Sequence, residues 1–155
     1  MRAVVLFALF FVANLAEAFA APDSTNSAST SRVLVVDKCS TTVSGARATL
    51  TIGALRPAQS LYEGDYSITV SPYFFKNQKG KLGVVISAES IAKAAEGKVV
   101  HITGTATENG KNGKTRRIEA IATPADSNCG MLKLSFMAGG QQLVFDTKYR
   151  FVERP

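Results

Sequence analysis

The sequence predicts a mainly β protein: an antiparallel β-sandwich or small β-barrel of seven or eight strands, with one short helix near residues 88–96. Three observations carry this expectation. From Arg32 onward, apolar and polar side chains alternate with a period of two, the pattern of half-buried strands. Segments rich in Gly, Asn and Asp punctuate the alternating runs where the chain must turn. The single stretch with helical character is bounded by Ser87 and Gly97 and is too short to be stable without packing on a sheet.

Taken in order, the elements read as follows. Val33 to Val36 is a short apolar run. Over 46–55, Ala48, Leu50 and Ile52 alternate with Arg47, Thr49 and Thr51; Arg56-Pro57 is expected to end this strand, because proline lacks a ladder donor. Glu63-Gly64-Asp65 reads as a turn, after which Tyr66, Ile68 and Val70 alternate with Ser67, Thr69 and Ser71. Tyr73-Phe74-Phe75 is the densest aromatic cluster, and 76–81 (KNQKGK) reads as a basic turn leading into Leu82 to Ile86. Ser87 is placed to cap the helix, Ile91, Ala92, Ala94 and Ala95 suit it, and Gly97 is placed to end it.

Two hairpins follow. In the first, Val100 and Ile102 must share a face with Ile118, Ala120 and Ala122, which requires even-numbered residues to pair with even. A three-residue loop of Lys111-Asn112-Gly113, with Gly113 at positive φ, meets that need and sets Glu108 near Arg116. In the second, 131–138 and 141–152 flank Gly139-Gly140. The register then puts Phe136 opposite Leu143, Leu134 opposite Phe145 and Lys133 opposite Asp146. Tyr149 and Phe151 extend the apolar face.

The first residues read as an export signal. Arg2 precedes the apolar run Ala3 to Ala13, which is shorter than the ~20 residues of a membrane span. Ala18-Phe19-Ala20 fits the small-x-small cleavage pattern, so cleavage is expected near Ala20. Residues 1–20 are thus a signal peptide, 21–31 a polar flexible leader, and 32–155 a single β-rich domain, secreted or periplasmic and without a transmembrane span once processed. In that compartment the only two cysteines, Cys39 and Cys129, are expected to form a structural disulfide. Closing so long a loop would add about 4–5 kcal/mol in the chain-entropy model.

The composition excludes more chemistry than it suggests. One His and no Trp leave no multi-imidazole site and no Trp sugar platform, although Tyr62, Tyr66 and Tyr73 could substitute weakly. His101 falls on a Thr-rich outward face. Ser90-Ile-Ala-Lys93 matches the Ser-x-x-Lys pattern of penicillin-recognising enzymes but lacks its companion motifs, and reads as a turn of surface helix. Gly110-Lys-Asn-Gly-Lys-Thr115 resembles part of a phosphate-binding loop, but Glu108 stands where a Gly is needed and the context is a hairpin. The carboxylates Glu63, Asp65, Glu89, Glu96 and Asp146 are scattered, and nothing selects a catalytic pair. No catalytic residue, cofactor or metal is therefore expected.

The positive hint is charge. The formal net charge is +6, and it concentrates partly in two hairpin loops, Lys76, Lys79 and Lys81 in one and Lys111, Lys114, Arg116 and Arg117 in the other. If both project from one end they would form a cationic rim beside Tyr73 to Phe75, suited to an anion, a polyanion or an acidic surface. The expected function is an exported, non-catalytic binding or structural module. One alternative is polyanion or envelope-surface binding through the basic loops. Another is a small hydrolase or a carrier of an apolar ligand.

Overall fold

The structure, a computed structural model, describes residues 32–138 and 140–153; the signal and leader expected over 1–31 lie outside the described residues, as does Gly139. In chain order the elements are β1 (Arg32–Val36), β2 (Cys39–Val43), β3 (Ala46–Ile52), β4 (Arg56–Ala58), β5 (Leu61–Ser71), β6 (Gln78–Val85), α1 (Ala88–Ala95), β7 (Val100–Glu108), β8 (Thr115–Pro124), β9 (Cys129–Ala138) and β10 (Gln141–Glu153). All ten strands belong to one antiparallel sheet, ordered β1-β10-β9-β8-β7-β6-β5-β3-β2, with β4 paired to β5.

The sheet curls into a barrel-like form because its two ends are consecutive pieces of chain. β1 pairs with β10, and β2, after the Asp37-Lys38 step, pairs with β3. The Asp37 N–H donates to the Lys148 carbonyl at 3.0 Å, and the Thr147 hydroxyl donates to the Asp37 carbonyl at 2.8 Å. Leu34 and Leu55 exchange a pair of backbone bonds, each 2.9 Å, across the same seam. The Leu34–Leu55 bonds satisfy part of the backbone on the β1 edge that faces away from β10.

The concave face carries the core. Leu50, Ile68, Leu82, Ile118, Leu134, Phe136 and Phe145 are almost wholly buried and come from six of the strands. Two glycines let the sheet bend where bulk would prevent it. A Cβ on Gly80 would overlap the Thr107 carbonyl, and one on Gly130 the Thr123 carbonyl. The rings of Tyr66 and Tyr149, their cross-strand partners, cover the two gaps.

The α1 helix lies across one end of the curl. Ser87 caps it by accepting from the Ser90 N–H at 3.0 Å, and Gly97, at φ +73°, follows it. Ile91 and Ala94 face an apolar cavity of about 40 Å³ shared with Leu55, Val84 and Val100. Drug-sized ligands occupy roughly 300–1,000 Å³, so the interior beneath α1 is nearly filled by side chains.

The last hairpin has the expected register: Phe136 pairs with Leu143, Leu134 with Phe145 and Lys133 with Asp146. The preceding hairpin keeps even-with-even pairing and brings Glu108 to Arg116 at 2.8 Å, as expected, but the register sets Arg116 opposite Ala106 and the loop spans residues 109–114 rather than three residues. Gly110, not Gly113, takes the positive φ. Gly113 is constrained in another way, since a Cβ there would overlap the Glu108 carbonyl.

Other expectations are corrected. Among the described residues there are ten strands rather than seven or eight, because β2 and β4 carry no strong apolar alternation. Arg56-Pro57 forms β4, where proline is tolerated because the strand pairs only with β5. Glu63-Gly64-Asp65 is not a turn but part of β5; Gly64 is needed there because a side chain would press on Leu55 at 2.8 Å. Similarly, β6 begins at Gln78, inside the stretch read as a basic turn.

The disulfide is also corrected: Cys39 and Cys129 are both free thiols. Cys39 pairs with the buried Leu50 and packs against the core, whereas Cys129 pairs with exposed Arg150 on the outer face. The two side chains project from opposite faces of the sheet. The Cys129 thiol instead donates to Asp126 at 3.1 Å, which pushes its pKa up, and burial raises that of Cys39. Thiol titration in denaturant should find both cysteines reduced, and added reductant should leave the thermal midpoint unchanged. A midpoint that falls on reduction would contradict the free-thiol structure.

Candidate functional site at the loop end

Strand direction alternates around the sheet, so the β2–β3, β5–β6, β7–β8 and β9–β10 connections all leave from the end opposite α1. This brings the two basic loops together. They are neighbours, because β6 pairs with β7 and the Asn109 N–H donates to the Lys79 carbonyl at 2.9 Å. Across the mouth, Gln141 donates to the Ser44 hydroxyl at 3.2 Å and ties β10 to the β2–β3 turn.

The seven basic side chains divide into two groups. Three face carboxylates: Lys81 with Asp65 at 2.7 Å, Arg116 with Glu108 at 2.8 Å, and Arg117 with Glu119 at 3.4 Å. The other four, Lys76, Lys79, Lys111 and Lys114, are exposed and have no ion pair among the described residues. Exposed pairs such as Lys81–Asp65 contribute little stability but still cancel charge. Of these seven, four lysines at one end of the molecule therefore keep their charge uncompensated; Lys38, Arg47, Arg56, Lys133 and Lys148 also have no ion pair among the described residues but lie outside the two basic loops.

Arg116 differs from the rest. With Glu108 and Gln78 it points into the mouth, with only 21% of the Arg116 and Glu108 side chains exposed, and it also donates to Gln78 at 3.0 Å. Beneath them the Tyr66 hydroxyl is buried with no hydrogen-bond partner among the described residues. Burial raises its pKa, Glu108 raises it further and Arg116 opposes them. Beside this cluster is an open cavity of about 330 Å³, with Val43, Val70 and Leu143 on its walls and Lys76, Gln78 and Gln141 at its rim.

The β5–β6 connection carries the aromatic cluster. A 3-10 turn over Phe74–Lys76 is held by the Lys76 N–H donating to the Tyr73 carbonyl at 2.9 Å and by Asn77, whose side chain accepts from the Val70 N–H at 2.8 Å. Tyr73 and Phe75 meet edge-on with centroids 5.9 Å apart, and the Lys76 ammonium lies 5.4 Å from the Tyr73 ring. Phe74 is 65% exposed and Phe75 83%. The sequence showed the cluster but not its exposure, since an aromatic run suits a core strand equally well.

The remaining candidates sit apart from this end or are otherwise engaged. His101 is exposed on the outer face of β7. Lys93 pairs with Glu89 at 2.7 Å while Ser90 bonds Ser87, so the Ser-x-x-Lys residues are not partners of each other. Gly110 to Thr115 is the β7–β8 connection and the start of β8. Tyr62 and Tyr66 are buried while Tyr73 is exposed, so the three form no common sugar-stacking surface. No cluster of three or more His, Cys, Asp or Glu suited to a metal ion occurs among the described residues. Among the same residues, no helix is long and apolar enough to cross a membrane.

Compared with known proteins, the chain matches no family model, no curated protein and no solved structure.

The buried phenols and the inner thiol set a pH response. Burial raises the pKa of Tyr62, Tyr66, Tyr149 and Cys39 above that of the unfolded chain. For groups raised on folding, the stabilisation is complete below the unfolded pKa and is lost as pH rises through the folded one. Urea-unfolding free energy should therefore decline from about pH 8.5, where a free thiol ionises, and more steeply above about pH 10. A flat profile across that window would contradict the burial of these groups.

Proposed function

We propose that the chain is an exported, non-catalytic module that binds an acidic polymer or acidic envelope surface through its loop end. One observation carries this reading: the two basic loops are adjacent at one end, and four lysines there have no carboxylate partner among the described residues. A cationic face of this kind binds by releasing counterions from a polyanion, without needing a shaped pocket.

The test is a titration with dextran sulfate over a salt series. Four lysines, each releasing about 0.7–0.9 counterion, predict that log affinity falls against log salt with a slope of about −3. The variant with Lys76, Lys79, Lys111 and Lys114 all changed to Ser should lose that slope and most of the affinity. Arg116 is left in place because removing it would strand half-buried Glu108 and confound binding with folding. Affinity equal to that of the unaltered chain would sink the reading.

A further inference from the structure

Cationic loops alone explain attraction to any polyanion; they do not explain two phenylalanines held out in solvent at the same end. Phe74 and Phe75 are 65% and 83% exposed, yet their backbone is fixed by the hydrogen bonds of the 3-10 turn and by Asn77. A hydrated polymer offers such rings no apolar phase. A lipid bilayer offers both an apolar phase for the rings and, when anionic, a charged headgroup layer for the lysines around them. Lys76 and Lys79 follow the rings in sequence, and Lys79 is bonded through its carbonyl to the loop that carries Lys111 and Lys114.

We infer that the Tyr73–Phe75 turn is an interfacial anchor, inserting Phe74 and Phe75 into the headgroup–acyl boundary of an anionic bilayer while Lys76, Lys79, Lys111 and Lys114 contact lipid phosphates. The inference rests on the loop end being the anion-binding face and assigns that face a partner. Tyr73, less exposed at 43% and edge-on to Phe75, sits at the level of the headgroups. Charge sets the selectivity for anionic lipid, and the rings supply the affinity that survives salt.

The chain contains no Trp, so Phe75→Trp makes a single local reporter. The experiment uses the chain from Ala21 onward, the form expected after signal cleavage, which avoids binding through the apolar signal segment. On adding vesicles of equal phosphatidylglycerol and phosphatidylcholine, emission from the introduced indole should shift to the blue and be quenched by lipids brominated near the headgroup end of the acyl chain. Vesicles of phosphatidylcholine alone should produce neither effect. Phe74→Ser with Phe75→Ser should weaken co-sedimentation with the anionic vesicles by about tenfold or more while leaving dextran sulfate binding unchanged. Unshifted emission at saturating anionic vesicles, or sedimentation unchanged in the double variant, would overturn the anchor. If dextran sulfate is bound and vesicles are not, the anchor alone fails; if neither is bound, the anion-binding face fails with it.

Discussion

Phe145→Ala is expected to cost about 3–5 kcal/mol of folding stability, the largest loss of any single truncation in the core. Phe145 has no measurable exposure and stands opposite Leu134 in the register that fixes the β9–β10 hairpin. Its ring fills the middle of the concave face, where neighbours from several strands meet and none can move in without breaking a ladder. The loss therefore combines lost burial with an unfilled cavity. Equilibrium urea unfolding would measure it as a lower midpoint with an unchanged slope. A loss below about 1 kcal/mol would mean that the inner face is not close-packed.

Gly80→Val is expected to cost at the upper end of the roughly 1–3 kcal/mol typical of overpacking, or more, because the obstruction is backbone. The added Cβ would overlap the Thr107 carbonyl and come within 2.9 Å of the Tyr66 ring. The β6–β7 ladder would have to open at its loop end, where the Asn109 N–H reaches the Lys79 carbonyl. Destabilisation and separation of the two basic loops should thus appear together. Hydrogen exchange at the Asn109 amide, faster in this variant than the global unfolding rate explains, is the measurement that separates the local effect from the global one.

How far these features could be read from sequence varies by element. The β9–β10 hairpin was legible to the residue, because alternation, a Gly-Gly turn and the Lys133–Asp146 pair all specify one register. The β7–β8 hairpin was legible in parity but not in loop length, because pattern selects even-with-even pairing while backbone packing at Gly113 selects the turn. β4 and the Glu63-Gly64-Asp65 segment were misread because proline and glycine, usual turn residues, serve here as a short paired strand and a close approach to Leu55. The cysteines differ from expectation because an expected export compartment and an even count favour a disulfide, whereas strand parity, which the unrecognised β2 conceals, sets the thiols on opposite faces.

For the candidate site, the sequence located both basic groups. It also placed Glu108 near Arg116, but could not show that Lys81 and Arg117 are neutralised, since those partnerships depend on cross-strand register and side-chain reach. Nor could it find that this pair turns inward with Gln78, above a Tyr66 hydroxyl with no hydrogen-bond partner among the described residues, an arrangement that exists only once the strands are aligned.

If the proposed function holds, binding belongs to the loop end and not to the charge of the molecule as a whole. Residue-resolved amide shifts during a dextran sulfate titration test this most directly. Perturbations should concentrate in 72–81 and 109–117, with the α1 end at 87–98 and the 125–128 turn unchanged. Shifts spread evenly over exposed lysines and arginines, or concentrated at the α1 end, would contradict it.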